Sequence, residues 1–138
     1  MNPTKLLLLT GSIVLLAGLL SGAPMGRAIV RKLGEDAVRG WRVAHTGLTM
    51  GGIMIISVAL ALPMLALNPL LTVIAAWGFV ISSVGFTIGL PLGAWKGQRG
   101  LRSKPQGINT VVYLGNIIGA WGSLLGTVLM IYGAWNMV

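Results

Sequence analysis

"VAHTGLTMGGIMIISVALALPMLALNPLLTVIAAWGFVISSVGFTIGLPLGAW", residues 43–95, contains no Lys, Arg, Asp or Glu, and its one ionisable side chain is His45. About 20 apolar helical residues cross the hydrocarbon core of a bilayer, and this stretch holds two such lengths. Asn68 and Pro69 fall near its middle, a turn signal between two periodic segments. The stretch therefore reads as a tight antiparallel hairpin of two membrane spans, Val43–Leu67 and Leu70–Trp95. Outward from it, Leu6–Ala23 and Val111–Trp135 are two further uncharged runs of spanning length. The expectation is an all-α chain, one domain over residues 1–138, folded as an integral membrane four-helix bundle with helices at about 6–23, 43–67, 70–95 and 111–135.

Composition supports this. The chain is 55% hydrophobic and only 9% charged, against roughly 25% charged in an average soluble domain. So little chain lies outside the spans that any activity must be built between helices. The net charge of +8 would point to nucleic acid in a soluble protein, but nine of the ten basic residues fall in two loops. Arg27, Arg31, Lys32, Arg39 and Arg42 lie between spans one and two; Lys96, Arg99, Arg102 and Lys104 lie between spans three and four. Loops separated by two crossings share a side, and basic loops face the cytoplasm. Both termini are then expected outside a bacterial-type inner membrane, with lipid rather than nucleic acid as the partner of the charges.

The first run resembles a signal peptide, with Ser21, Gly22 and Ala23 ending its apolar core. Pro24 directly follows that candidate cleavage site, so the segment is read as a retained helix. Pro63 and Pro91 are expected to kink spans two and three by removing backbone donors. Gly34, Glu35 and Asp36 read as a turn and helix start, the acids suiting the positive end of a helix dipole. Glycines recur every four residues: Gly18, Gly22 and Gly26; Gly85, Gly89, Gly93 and Gly97; Gly115 and Gly119; Gly122 and Gly126; Gly47 and Gly51. Small residues at this spacing let bilayer helices approach closely. Trp41, Trp95 and Trp135 suit the membrane interfaces, while Trp77 and Trp121 lie deeper and read as packing.

Most chemistries are excluded. With no cysteine, one histidine and two carboxylates at a loop turn, neither a nucleophilic triad nor a zinc site with three or four protein ligands can be assembled in one chain. A phosphate-binding G-x-x-x-x-G-K-[ST] loop is absent. His45 remains. An ionisable group within a span is costly and marks a functional site by default, although a neutral histidine satisfying a nearby carbonyl is the plain structural alternative. The functional alternative is an axial ligand to haem iron, for which one imidazole suffices. Helical spacing puts Trp41, His45, Leu48, Thr49, Gly52 and Ile56 on one face, with Gly52 leaving room for a flat ring. Haem propionates would meet Arg39, Arg42, Arg99 and Arg102 at the basic surface. Met50 and Met54 turn away from the His45 face.

At this point the residues resemble a family. "GWRVAHTGLTMGGIMIISVALALPML", residues 40–65, is similar to the second helix of the styrene oxide isomerases, with Gly40-Trp41, Ala44-His45, Gly47, Gly52, Met54, Leu62-Pro63 and Leu65 in register. "VGF" at 84–86 and "RGL" at 99–101 match weaker segments. The resemblance implies a homotrimer with haem b at the subunit interfaces and His45 as the axial ligand to iron. It implies ferric haem acting as a Lewis acid, converting a small apolar substrate such as an aryl epoxide into a carbonyl compound. Two positions depart from the family. A substrate-positioning asparagine six residues after the axial histidine is replaced by Gly51, and a tyrosine after "VGF" is replaced by Thr87. Thr87, Ser83 and Asn116 are candidates for a rebuilt polar clamp, Asn116 being the costliest of them to bury. Two alternatives stay open: a non-isomerase haem protein that binds a diatomic gas or carries electrons, and an accessory membrane subunit without cofactor.

Overall fold

The computed structural model describes residues 2–101 and 106–138; Arg102 and Lys104 lie outside the described residues. Four long helices account for the fold: α1 (Pro3–Val30), α2 (Glu35–Ala61), α3 (Pro69–Lys96) and α4 (Ile108–Trp135). Each is 27 or 28 residues long, so each extends about 40 Å at 1.5 Å per residue and exceeds the roughly 30 Å hydrocarbon core. All four are apolar enough to cross a membrane, and the chain is a multi-pass membrane protein.

The helices begin where local chemistry starts them. Asn2 caps α1 by accepting from Thr4 N at 2.9 Å, and Asn68 caps α3 by accepting from Leu71 N at 2.8 Å. In both cases proline occupies the next position, where no backbone donor is needed. Gly34 precedes α2 with φ +94°, and Glu35 and Asp36 form its first turn, as the loop reading anticipates. Two boundaries differ from expectation. α1 passes through Pro24 to Val30, because one missing donor in a long lipid-embedded helix bends it more cheaply than it exposes further backbone. α2 stops at Ala61 rather than running to Leu67, and Pro63 sits in a short 3-10 turn, Leu62–Met64. The hairpin connection is correspondingly longer than Asn68-Pro69 alone.

The four helices pair unequally. α1 packs along α2 and α3 along α4, while α3 bridges the two pairs through lighter contacts with α2 and α1. The α3–α4 seam is a glycine zipper. A Cβ on Gly85 would stand 2.5 Å from the Gly115 carbonyl oxygen, and one on Gly122 would stand 2.6 Å from that of Gly78. The Phe79 and Phe86 rings fill the space left by Gly126 and Gly119. Ser82 Oγ donates across the seam to the Gly119 carbonyl at 2.7 Å. Lipid offers helices no hydrophobic drive to associate, so this close backbone contact is what holds the pair. Gly97 belongs to no seam; it ends α3 in the left-handed conformation at φ +63°.

A core of Leu7, Val14, Leu48, Ile55, Val58, Leu62 and Phe79 joins α1, α2 and α3. The outer faces are equally apolar. Trp77 and Trp121 are 45% and 67% exposed, which corrects their reading as packing residues: where the surroundings are hydrocarbon, an indole far from either interface need not point inward. Met50 and Met54 face outward as well.

Candidate functional site

His45 lies on α2 against α1, half-buried. Its Nδ1 is 2.8 Å from the Gly18 carbonyl oxygen. A carbonyl only accepts, so Nδ1 carries the proton and donates, leaving Nε2 with a free lone pair. The imidazole lies over Gly22: a Cβ there would come 3.3 Å from both Cε1 and Nδ1. Gly18 allows the approach in the first place, since a Cβ on it would meet Thr49 N at 2.5 Å. Sequence spacing exposes Gly18 and Gly22 as a small-residue stripe, but it does not connect the stripe to His45, because nothing in the spacing says which helix α1 faces.

The other expected residues have diverse placements. Thr49 Oγ1 donates back to the His45 carbonyl at 2.7 Å. Gly52 is buried, and its missing Cβ makes way for the Leu15 backbone, 2.5 Å from where that Cβ would be. The space is taken by α1, not left for a flat ring. Trp41 lines a groove of about 580 Å³ whose other walls are Pro24, Arg27, Arg31, Leu33, Pro91, Leu92 and Trp95. Arg42 lines a different groove, about 650 Å³, with Lys32, Arg39, Glu35, Val38, Ala28, Ile29 and Gly34. Val38 and Arg42 precede His45 by seven and three residues, which puts this second groove below the imidazole on the same face of α2.

Arg99 points elsewhere. Its Nη2 donates to Asp36 Oδ1 at 2.7 Å, and Arg39 reaches the same oxygen at 3.3 Å. Asp36 thereby ties the α3–α4 loop to the start of α2. Asn116 Nδ2 donates to the Arg99 carbonyl at 3.4 Å, within the α3–α4 seam where Gly89 and Gly100 give it room. Asn109, one residue inside α4 and not anticipated, accepts from Gly100 N at 3.0 Å. Among the described residues Thr87 Oγ1, Asn116 Oδ1 and Asn109 Nδ2 are buried without partners. Thr87 is two residues from both Gly85 and Gly89, so it points roughly opposite the seam that holds Asn116. Thr87 and Asn116 are not brought together. Ser83 Oγ donates to Val80 O at 2.7 Å within its own helix.

No group of three His, Cys, Asp or Glu side chains gathers among the described residues, whereas haem asks the chain for a single strong nitrogen ligand. The His45 arrangement fits that demand: one ring nitrogen fixed by a carbonyl, the other free, and a glycine cradle under the ring.

Comparison with curated proteins and with solved structures gives no match. The sequence model of the family described as styrene oxide isomerase matches residues 3–135, nearly the whole chain. The chain, with all four helices inside that match, belongs to the styrene oxide isomerase family.

Proposed function

We propose that this protein is a membrane isomerase that rearranges a small apolar epoxide, such as an aryl epoxide, into a carbonyl compound at a haem b held by His45. The observation that carries the reading is the His45 Nδ1 hydrogen bond to Gly18 O at 2.8 Å, which fixes the tautomer and presents Nε2 as a ligand. A ferric haem bound there supplies a Lewis acid for the epoxide oxygen. Arg42, with Lys32 in the groove below His45, offers the cationic hydrogen-bond donors that propionates require, while Arg39 is paired with Asp36. Arg99 is drawn to Asp36 instead.

The chemistry suits the residues present. In an epoxide-to-carbonyl rearrangement one carbon–oxygen bond breaks, a substituent shifts to the neighbouring carbon, and nothing enters or leaves. Such a reaction needs no acid–base pair and no soluble co-substrate, and the spans contain no carboxylate. A membrane-embedded site would exclude the water that traps an opened epoxide as a diol. Thr87, with a buried hydroxyl lacking a partner, is the best placed of the three clamp candidates to turn toward a substrate, because Asn116 is engaged in the α3–α4 seam and Ser83 bonds to Val80 O within its own helix. The reading includes basic loops on the cytoplasmic side of an inner membrane, with both termini outside, and a homotrimer with haem at its interfaces.

The test is the visible spectrum of the detergent-purified protein, oxidised and reduced, beside His45→Ala, followed by a carbonyl assay on an aryl epoxide. A Soret band lost with His45 and aldehyde formed by the oxidised protein are expected. Full haem content in His45→Ala would refute the ligand. Tight CO or NO binding without isomerisation would replace the isomerase with a gas-binding haem protein, the reading to which the loss of the family's polar clamp at Gly51 and Thr87 would then point.

A further inference from the structure

We infer that the groove between α1 and α3 at the basic end of the protein binds one anionic phospholipid, with an acyl chain along its apolar floor and the phosphodiester on Arg27 and Arg31. Pro24 of α1 and Pro91 of α3, the two prolines inside these helices, both line the groove. Each lacks the backbone donor of an ordinary helix residue, and beside the two prolines lies a recess of about 580 Å³ between helices that otherwise touch. That volume falls within the range of about 300–1,000 Å³ typical of ligand sites.

Its walls are almost wholly apolar, and Arg27 and Arg31 are the two charged residues that line it. Arg27 and Arg31 are one helical turn apart on the same side of α1, and no salt bridge to either exists among the described residues. Neither carboxylate of the chain pairs with them: Asp36 holds Arg39 and Arg99, and Glu35 lines the separate groove. Trp41 and Trp95 line the α1–α3 groove too, and aromatic side chains of this kind favour headgroup level. The level suits phosphate, because α1 at 28 residues is longer than the hydrocarbon core is thick and carries its arginines at its C-terminal end. A free inorganic phosphate would leave the apolar floor bare; a phospholipid satisfies floor and rim together. Basic, arginine-rich surfaces of this kind face the leaflet rich in anionic lipid.

The test uses the full chain in detergent, with native mass spectrometry counting bound phosphatidylglycerol and phosphatidylcholine, and a thermal melt with and without each lipid. One tightly retained phosphatidylglycerol and a raised melting temperature are expected for the wild type, with phosphatidylcholine at least about tenfold weaker. Arg27→Gln/Arg31→Gln should lose about tenfold or more in phosphatidylglycerol affinity, whereas the charge-matched Lys5→Gln/Lys32→Gln should retain it. Leu92→Trp, which fills the floor and keeps both charges, should also lose it. Equal losses in both charge-matched pairs would overturn the proposal in favour of diffuse attraction. Equal binding of the two lipids, or competition by millimolar glycerol phosphate, would overturn the acyl-chain site. A Soret band that vanishes in Arg27→Gln/Arg31→Gln would assign the groove to haem instead.

Discussion

Gly18→Ala tests the His45 arrangement at its foundation. The new Cβ would stand 2.5 Å from Thr49 N, 2.7 Å from Thr49 Oγ1 and 2.9 Å from the Leu48 carbonyl carbon. Two of these are backbone atoms that no rotamer change can move. Ordinary contact begins near 3.4 Å, so α1 and α2 must separate by about 0.9 Å at this point. The same displacement stretches the 2.8 Å bond from His45 Nδ1 to Gly18 O to about 3.7 Å, beyond a hydrogen bond. Overpacking costs about 1–3 kcal/mol and the lost bond about 0.5–1.5 kcal/mol, offset by about 1 kcal/mol of improved helix propensity. The net expectation is a destabilisation of about 0.5–3.5 kcal/mol. Loss of the carbonyl that orients a ligating imidazole lowers affinity by about 10–100-fold. Gly11→Ala is the comparator: its Cβ would crowd Ile56 Cγ1 at 2.8 Å and Ile56 N at 3.0 Å, two turns from Gly18 and away from the imidazole. The assay titrates haem into solubilised apo-protein, followed at the Soret band, with thermal melts alongside. Both variants should melt earlier, and only Gly18→Ala should bind haem more weakly. Equal haem affinities in the two variants would refute the reasoning, whether both fell or neither did.

Gly51→Asn restores the side chain that the family pattern has six residues after the histidine; nothing lies within 4 Å of a Cβ at Gly51, so the melting temperature should hold and the rate of epoxide rearrangement should rise, by about tenfold if the amide gains a hydrogen bond to the reacting oxygen. Ser82→Ala removes the buried bond to Gly119 O at 2.7 Å and should cost about 0.6–1.7 kcal/mol in an unfolding assay in bilayer-like detergent. Asp36→Asn weakens the tie between the α3–α4 loop and α2, but the pair is exposed, so the expected loss is below about 1 kcal/mol and should shrink further in high salt.

The fold was legible because lipid imposes a simple grammar: uncharged lengths of about 20 residues, punctuated by basic loops and turn residues, can only be spans. The same solvent hides which face of a helix points inward. In water Trp77 and Trp121 would have been safe to place in a core; in hydrocarbon their burial is undetermined by their polarity, and both face out. Glycine spacing announces close approach without naming the partner. That is why Gly85 and Gly122 were recognisable as packing residues while the role of Gly18 and Gly22 beneath His45 required the structure. For Gly52 the spacing misled, since a small residue on the His45 face reads equally well as room for a ring or as a seat for Leu15. The arginines followed a similar logic. Arg99 was predicted at the cytoplasmic surface from charge alone, and its attachment to Asp36 depends on a loop geometry that composition cannot express.

The two hairpins divide the work. The α1–α2 pair carries the histidine, its carbonyl anchor and the cationic groove, while the α3–α4 pair is zipped by glycines and presents a broad apolar exterior from Leu114 to Trp135. His45 turns toward α1. Gly51, six residues further along, lies about 120° around α2 from it, and Thr87 belongs to the side of α3 away from α4. Neither groove is lined by His45, Gly51 or Thr87. A group on the Gly51 side therefore does not face the imidazole within one chain, and a substrate held at His45 would meet that position only across a boundary between chains, whereas the Thr87 hydroxyl is buried within its own chain. The proposed trimer, with haem at its interfaces, supplies that boundary. On this view the glycine at position 51 alters what a neighbouring subunit presents to the substrate and leaves the anchoring of His45 by Gly18 untouched.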